Sequence, residues 1–412
     1  MPKMADLLRD GTISDPFFEV LNDGDWNACI GKQGDQTNYV EGYLQAAQLL
    51  VDTLLEKRLY GSRDTLAMPI LYNARHGLEL ALKYILRELV AIGMASARAG
   101  ADDHDLRAYW EHLSAQRIGD LACRDQLTEL KPFVESFMQK DIDGQELRYF
   151  ENREGKQSLE ELAVVNLPLM QAAIEELRDI VQRLMDRAFR LGQEHLAGTK
   201  TKECSRSDLI AIARIVGPQT SWSEDSFLDR KAEAMARFDL TSNGFSRALT
   251  AIKDSRELKV LIGLDTPLTY LTADKALEIT QRWLDAHPPK PAAEATMIDA
   301  ATISFDDITD YGDTMRVLND AALAVLSVEE LADLQTIFYI GRDRRYGEEY
   351  PAYLAHTLKT HQLDDRRYEK AHRILSKLNF IDGFVDGLRR VGQPSLADQV
   401  AALRAQAQAS AG

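Results

Sequence analysis

From Tyr39 onward the apolar residues of this chain return at spacings of three and four, and alternating stretches are scarce. Tyr43, Ala46, Ala47, Leu50, Leu54 and Leu55 make the first stripe, the signature of a helix with one buried face. A second helix is expected over about 66–95, with Leu71, Leu78, Leu82, Ile85, Leu86 and Leu89 inside. Gly100 and Asp102-Asp103 break it, and a third helix starts near His104-Asp105. Helical patterning resumes from Arg124 to Lys140, and Asp141 to Gly155 reads as a loop carrying Arg148-Tyr149-Phe150. A long helix follows from Ser158 to about His195, with Pro168 kinking it or starting a new segment. The pattern predicts an all-α protein.

At 412 residues the chain is expected to form two or three domains with real cores. The expected division is an irregular lead-in at 1–36, a helical bundle at 37–197, a helical middle domain at 206–287 and a C-terminal helical domain at 298–405. Gly198 to Glu203 reads as a linker, and His287-Pro288-Pro289-Lys290-Pro291 as a boundary. Residues 301–310 suit a short strand or an extended connector. A net charge of −16 opposes general adhesion to nucleic acid or an anionic membrane, so any nucleic-acid contact needs a local basic patch. Three scattered cysteines, Cys29, Cys123 and Cys204, fit a reducing compartment and exclude a disulfide framework or a CxxC zinc site. Without a signal-like start or an apolar run near ~18 residues, the expected location is the cytoplasm, with no membrane partner.

The chemistry concentrates in Tyr72-Asn73-Ala74-Arg75-His76-Gly77-Leu78-Glu79-Leu80-Ala81-Leu82-Lys83 and, after a polar loop, His104-Asp105-Leu106-Arg107-Ala108-Tyr109-Trp110. Arg75, Glu79 and Lys83 share one helix face at four-residue spacing. Read plainly, they are a solvated charge ladder with His76 beside it. Read as an interior cluster, they must pair with one another to offset desolvation. Asp102, Asp103 or Asp105 can cap the next helix, which sets His104 at its mouth within reach of the Arg75–Glu79 group.

These pieces resemble the HEPN family: the Arg75-His76-x-x-Glu79 helix with Leu82-Lys83, the loop ending in His104-Asp105-Leu106, and Arg148-Tyr149-Phe150 before Gly155. The stretch from Gly34 to Tyr43 resembles HEPN-like proteins of bacterial defence loci. The resemblance covers about residues 34–195 and rests on short motifs. It implies a HEPN-like helical bundle, usually dimeric, in a family with many metal-independent ribonucleases of toxin and abortive-infection systems. Those enzymes carry Arg-x4–6-His, usually with Asn, Asp or His after the Arg. The imidazole would move the proton of an RNA 2′-hydroxyl, and the guanidinium would hold developing phosphate charge.

Arg107…His112 is the first candidate pair, being on the His-Asp-Leu helix, and Arg98…His104, across a loop, the second. Arg190…His195, Arg282…His287 and Arg366 or Arg367…His372 have permitted spacings too, but no pair has Asn, Asp or His directly after its Arg. The leading expectation is a defence or toxin-type protein acting on RNA, with no cofactor. The alternative is a non-catalytic scaffold or sensor in which Arg75, His76, Glu79, Lys83, Asp105, His104 and Arg148 form a polar lock or bind a nucleotide, nucleic acid or partner protein. A homodimer or a defence-system partner is expected in either case.

A third reading is an HD-type metal phosphohydrolase, whose order His76, His104-Asp105 and Asp141 or Asp143 would mimic. Against it, Ala99 to Asp103 reads as a loop rather than an apolar helix end. A phosphate-cradling glycine loop is excluded, because six residues separate Gly24 from Gly31-Lys32 and Gln33 follows. Residues 228–253 have a helix-turn-helix-like length, with Thr241 or Ser242 as cap, though an ordinary helical hairpin explains them. Between Arg342 and Arg390 eleven lysines and arginines face eight carboxylates. Arg342, Arg344, Arg345, Arg366, Arg367 and Arg373, interleaved with aromatics, form a candidate nucleic-acid patch, and a solvated helical face explains them equally well.

Overall fold

The computed structural model describes residues 8–9, 11, 14–20, 24–100, 103–151, 155–288, 305–363 and 366–410, excepting the side chains of 305–309. Among them the chain is all-helical, with fifteen α-helices and no strand. No helix among them is long and apolar enough to cross a membrane. The backbone divides into unit 1 (residues 1–87, 97–115 and 126–186) and unit 2 (88–96, 116–125 and 187–412).

In unit 1, α1 (Gln36–Glu56) begins at a reciprocal cap. Asp35 accepts from the amides of Thr37 and Asn38, and Asn38 accepts from the Asp35 amide. Ala47, Val51 and Leu54 of α1 pack against Ile70 and Ala74 of α2 (Arg63–Ala91) and Met170 and Ile174 of α5 (Leu167–Leu196). The first two helices cross closely: a Cβ on Gly77 would lie 2.7 Å from Leu44 Cγ. Helices α3 (Leu106–Ser114) and α4 (Leu121–Lys140) come between α2 and α5 in chain order. Of the candidate caps before α3, Asp105 does the work, accepting from Ala108 N at 3.0 Å; Asp102 lies outside the described residues. The last of these helices begins at Leu167 rather than Ser158. Pro168 sits in its first turn, where the missing N–H costs nothing, and Asn166 Oδ1 accepts from Leu169 N at 2.9 Å.

Unit 2 holds α6 (Arg206–Val216), α7 (Ser226–Phe238) and α8 (Ser242–Asp254), with Phe238, Phe245 and Ile252 buried together. Thr241 caps α8, accepting from Gly244 N at 3.1 Å. The remaining helices are α9 (Ala273–Ala286), α10 (Phe305–Val325), α11 (Val328–Arg342), α12 (Tyr350–Leu363), α13 (Arg367–Leu375), α14 (Phe380–Arg390) and α15 (Pro394–Ser410). Phe338, Phe380 and Phe384 lie in their common core. The strand or connector expected at 301–310 is corrected from Phe305 onward, where α10 has begun; residues 301–304 lie outside the described residues. Helices α11 and α14 touch backbone to backbone: a Cβ on Gly341 would overlap the Gly383 carbonyl, and one on Gly387 the Ile337 carbonyl.

A buried ion network also belongs to unit 2. Arg187 holds Asp120 in two bonds, of 3.0 and 2.5 Å, and Glu194 at 2.7 Å. Beside it, Asp208 accepts from Ser205 N and Leu121 N. Burial and the neighbouring Asp120 charge push the Asp208 carboxyl up to about 6. A carboxyl raised on folding adds stability below its unfolded value of about 4 and loses it as pH climbs through the folded value. Wild type should therefore lose stability relative to Asp208→Asn between pH 4 and 6, with a constant gap above; urea unfolding at stepped pH measures it, and parallel curves would contradict the assignment.

Candidate functional site

Arg75 lies on α2 with no exposed surface. Its Nη1 donates to Glu79 Oε2 at 2.5 Å, one helical turn on. Its Nε donates to the Asp141 carbonyl at 3.2 Å, and Nη2 to the carbonyls of His104 and Ile142, each at 2.8 Å. One planar guanidinium thus ties the helix to two separate loops, a fork that lysine cannot reproduce. Gly144 makes room for it: its φ is +76°, and a Cβ there would sit 3.3 Å from Arg75 Nη1. The Asp141 carboxylate, 3.5 Å from Arg75 Nε, accepts from the amides of Glu146 and Leu147. Burial raises its pKa against the pull of Arg75.

Glu79 is fully buried and is the hub of the cluster. Besides Arg75 it meets Lys83 Nζ at 3.1 Å and His104 Nδ1 at 2.9 Å, both on Oε1. His76 Nδ1 stands 3.9 Å from Oε2, an electrostatic approach rather than a hydrogen bond. Burial alone would lift the Glu79 pKa, yet the two imidazoles, the ammonium and the guanidinium hold its carboxyl far below the ordinary range. The group is a permanent anion, and a permanent anion beside Nδ1 favours the tautomer with its proton on that nitrogen. The His104 side chain is 52% exposed, and in that tautomer its other nitrogen, Nε2, is an acceptor. That is a carboxylate–imidazole dyad in the geometry that orients a general base.

Two cations flank it. The Tyr109 ring of α3 carries Lys83 Nζ at 5.2 Å and the Arg98 guanidinium at 4.3 Å from its centroid. Arg98 also pairs with Asp103 at 3.0 Å, immediately before His104. On the other side His76 meets Tyr43 edge-on at 4.4 Å and stacks on Tyr72 at 5.6 Å. Arg148 donates to the Tyr72 hydroxyl at 3.1 Å.

Of the expected residues, Arg75, His76, Glu79, Lys83 and His104 gather at one place, with Arg98 and Arg148 at its edges. Asp105 turns to its capping role. Arg107 is exposed and His112 half-buried, and five residues on a helix set two side chains about 140° apart. The Arg98…His104 pair fits the cluster better. The phosphohydrolase order is not assembled: Asp105 caps, Asp141 serves Arg75 and its own loop, and no group of three or more His, Cys, Asp or Glu among the described residues is placed to hold a metal ion. Tyr109, Tyr43 and Gly144 have no site role in the sequence reading, where Tyr43 belongs to an apolar stripe and Tyr109 only follows His104 by five residues.

In unit 2, Arg342 pairs with Asp343 at 2.6 Å, Arg345 with Glu349 at 3.0 Å and Arg366 with Glu369 at 3.2 Å. Arg367 donates to the Leu326 carbonyl at 2.8 Å, while Arg344 and Arg373 are exposed. Much of that positive charge is thus matched within the unit. His195 lies against Lys200, Arg282 pairs with Glu278, His287 stacks on Trp283 and His372 meets Asn319. Comparison with protein-family models, curated proteins and solved structures finds no match to this chain.

Proposed function

We propose that the Glu79–His104 dyad acts on RNA, cleaving its backbone without a metal in the manner of HEPN-like defence or toxin-type proteins. The observation that carries the reading is a half-exposed imidazole bonded through Nδ1 to a buried, permanently ionised carboxylate. His104 Nε2 would take the proton of a 2′-hydroxyl. The 2′-oxygen then forms its bond to phosphorus while the bond to the 5′-oxygen breaks, and that oxygen takes a proton from solvent. Lys83 and Arg98 would face the charge that builds on the phosphate oxygens. The products are a 2′,3′-cyclic phosphate and a 5′-hydroxyl end. The setting that goes with this reading is cytoplasmic, in a homodimer or beside a defence-system partner.

Purified protein should therefore cleave single-stranded RNA in excess EDTA, leaving cyclic-phosphate ends detectable by mass spectrometry. Intact RNA in the presence of folded protein would reject catalysis. It would favour the second reading, a non-catalytic scaffold or sensor, which the engagement of Arg75 with Glu79 and three backbone carbonyls supports. Cleavage that EDTA abolishes would reject both.

A further inference from the structure

Glu79 carries a second imidazole besides that of His104. Along α2, Tyr72, His76 and Glu79 follow at spacings of four and three, so they share one face of the helix. His76 Nδ1 lies 3.9 Å from Glu79 Oε2, whereas His104 Nδ1 lies 2.9 Å from Oε1. The two rings therefore sit on opposite oxygens of one ionised carboxylate. The His76 ring is clamped: it stacks on Tyr72 within 7° of parallel and meets Tyr43 edge-on at 88°. Tyr43 reaches it because Gly77, the next residue, sets no Cβ against Leu44 where α1 crosses.

The two nitrogens of His76 differ. Nδ1 is buried and has no hydrogen-bond partner, whereas Nε2 is not sealed off, and 14% of the side chain stays exposed. A neutral ring with its proton on Nε2 aims a bare lone pair at the Glu79 anion. A doubly protonated ring aims an N–H there instead and presents a second N–H at Nε2. The accessible edge of the clamped ring is thus placed to give a proton, as that of His104 is placed to take one. The neighbouring cations do not fill that role. Arginine does not give up its proton, and Lys83 shares Oε1 with His104, on the side of the base.

On the reading that the dyad cleaves RNA, on which this inference rests, the geometry points to His76 as a second catalytic residue, the general acid that protonates the 5′-oxygen. His104 Nε2 removes the 2′-hydroxyl proton and the 2′-oxygen bonds to phosphorus. The electron pair of the bond from phosphorus to the 5′-oxygen leaves on that oxygen, which takes the Nε2 proton of His76. The step ends with His76 neutral and His104 protonated, and water carries a proton from the second ring back to the first. Solvent is then the route by which the proton returns, not the group that meets the leaving oxygen.

The test uses two single-stranded RNAs of one sequence, identical except that the second has sulfur in place of the 5′-oxygen at the linkage the wild type cuts. A thiolate, the weaker base, departs without a proton, while an alkoxide needs one. His76→Gln should cleave the oxygen substrate about 10²–10⁴-fold more slowly than wild type, and the sulfur substrate within about tenfold of it. His104→Gln should be slowed on both, because both need the 2′-hydroxyl deprotonated. Recovery on sulfur also reports a folded variant with its base intact, and the smaller His76→Asn should behave alike. Full-rate cleavage of the oxygen substrate by His76→Gln, or an equal loss on both substrates in both His76 variants, would overturn the proposal and leave the RNA reading standing. If the wild type leaves RNA intact, the RNA reading itself falls and the role of His76 falls with it.

Discussion

Arg75→Ala should lower the unfolding free energy by about 3–5 kcal/mol, the range for removing one partner of a buried ion pair. The variant takes the guanidinium from Glu79 and Asp141, both without exposed surface, leaving Glu79 only Lys83 and His104 and Asp141 only the amides of Glu146 and Leu147, and it removes the Arg75 donor from the carbonyls of Asp141, Ile142 and His104. Each group left short of a partner adds its own desolvation cost of about 1–3 kcal/mol, partly relieved by water entering the space. Arg75→Lys should recover little, since one ammonium cannot serve a carboxylate and three carbonyls on two loops. Urea unfolding monitored by circular dichroism gives the number. A loss below about 1 kcal/mol would mean that the loops at 104 and 141–147 are held by something else.

The second large effect separates activity from stability. His104→Gln should reduce RNA cleavage by about 10²–10⁴-fold, the usual worth of a positioned acid–base group, and move the unfolding midpoint little because the ring is half exposed. Glu79→Gln should lose both, since Glu79 orients His104 and also neutralises Arg75 and Lys83. If His104→Gln kept full cleavage, the dyad would be structural and the RNA chemistry would belong elsewhere. If it unfolded the protein as Arg75→Ala does, the imidazole would be part of the lock rather than of a site.

The helices were legible from their periodicity, and so was the Arg75–Glu79–Lys83 face, because four-residue spacing puts those groups in line whatever surrounds them. What spacing could not show is which way the face looks. Leu78, Leu82, Ile85 and Leu89 are buried together with Arg75 and Glu79, so α2 is wrapped on more than one side and its pattern has no clean solvent edge. The partners of Arg75 are mostly backbone carbonyls, which any residue supplies, so no side-chain motif marks them 29 and 67 residues away. Arg107 and His112 had the right spacing, but a pair on one helix is governed by its rotation per residue. In sequence Pro168 fits a kink or a start alike; the Asn166 cap before it decides for a start.

The glycines where α11 meets α14 have a mechanical consequence. Neighbouring helices usually shift by letting long, pliable side chains change rotamer at their interface. Here main chain rests on main chain where Gly341 meets the Gly383 carbonyl and Gly387 the Ile337 carbonyl, so at those two points no such cushion exists and sliding would mean steric collision. Any motion in that part of the chain has to carry the two helices along as a single piece.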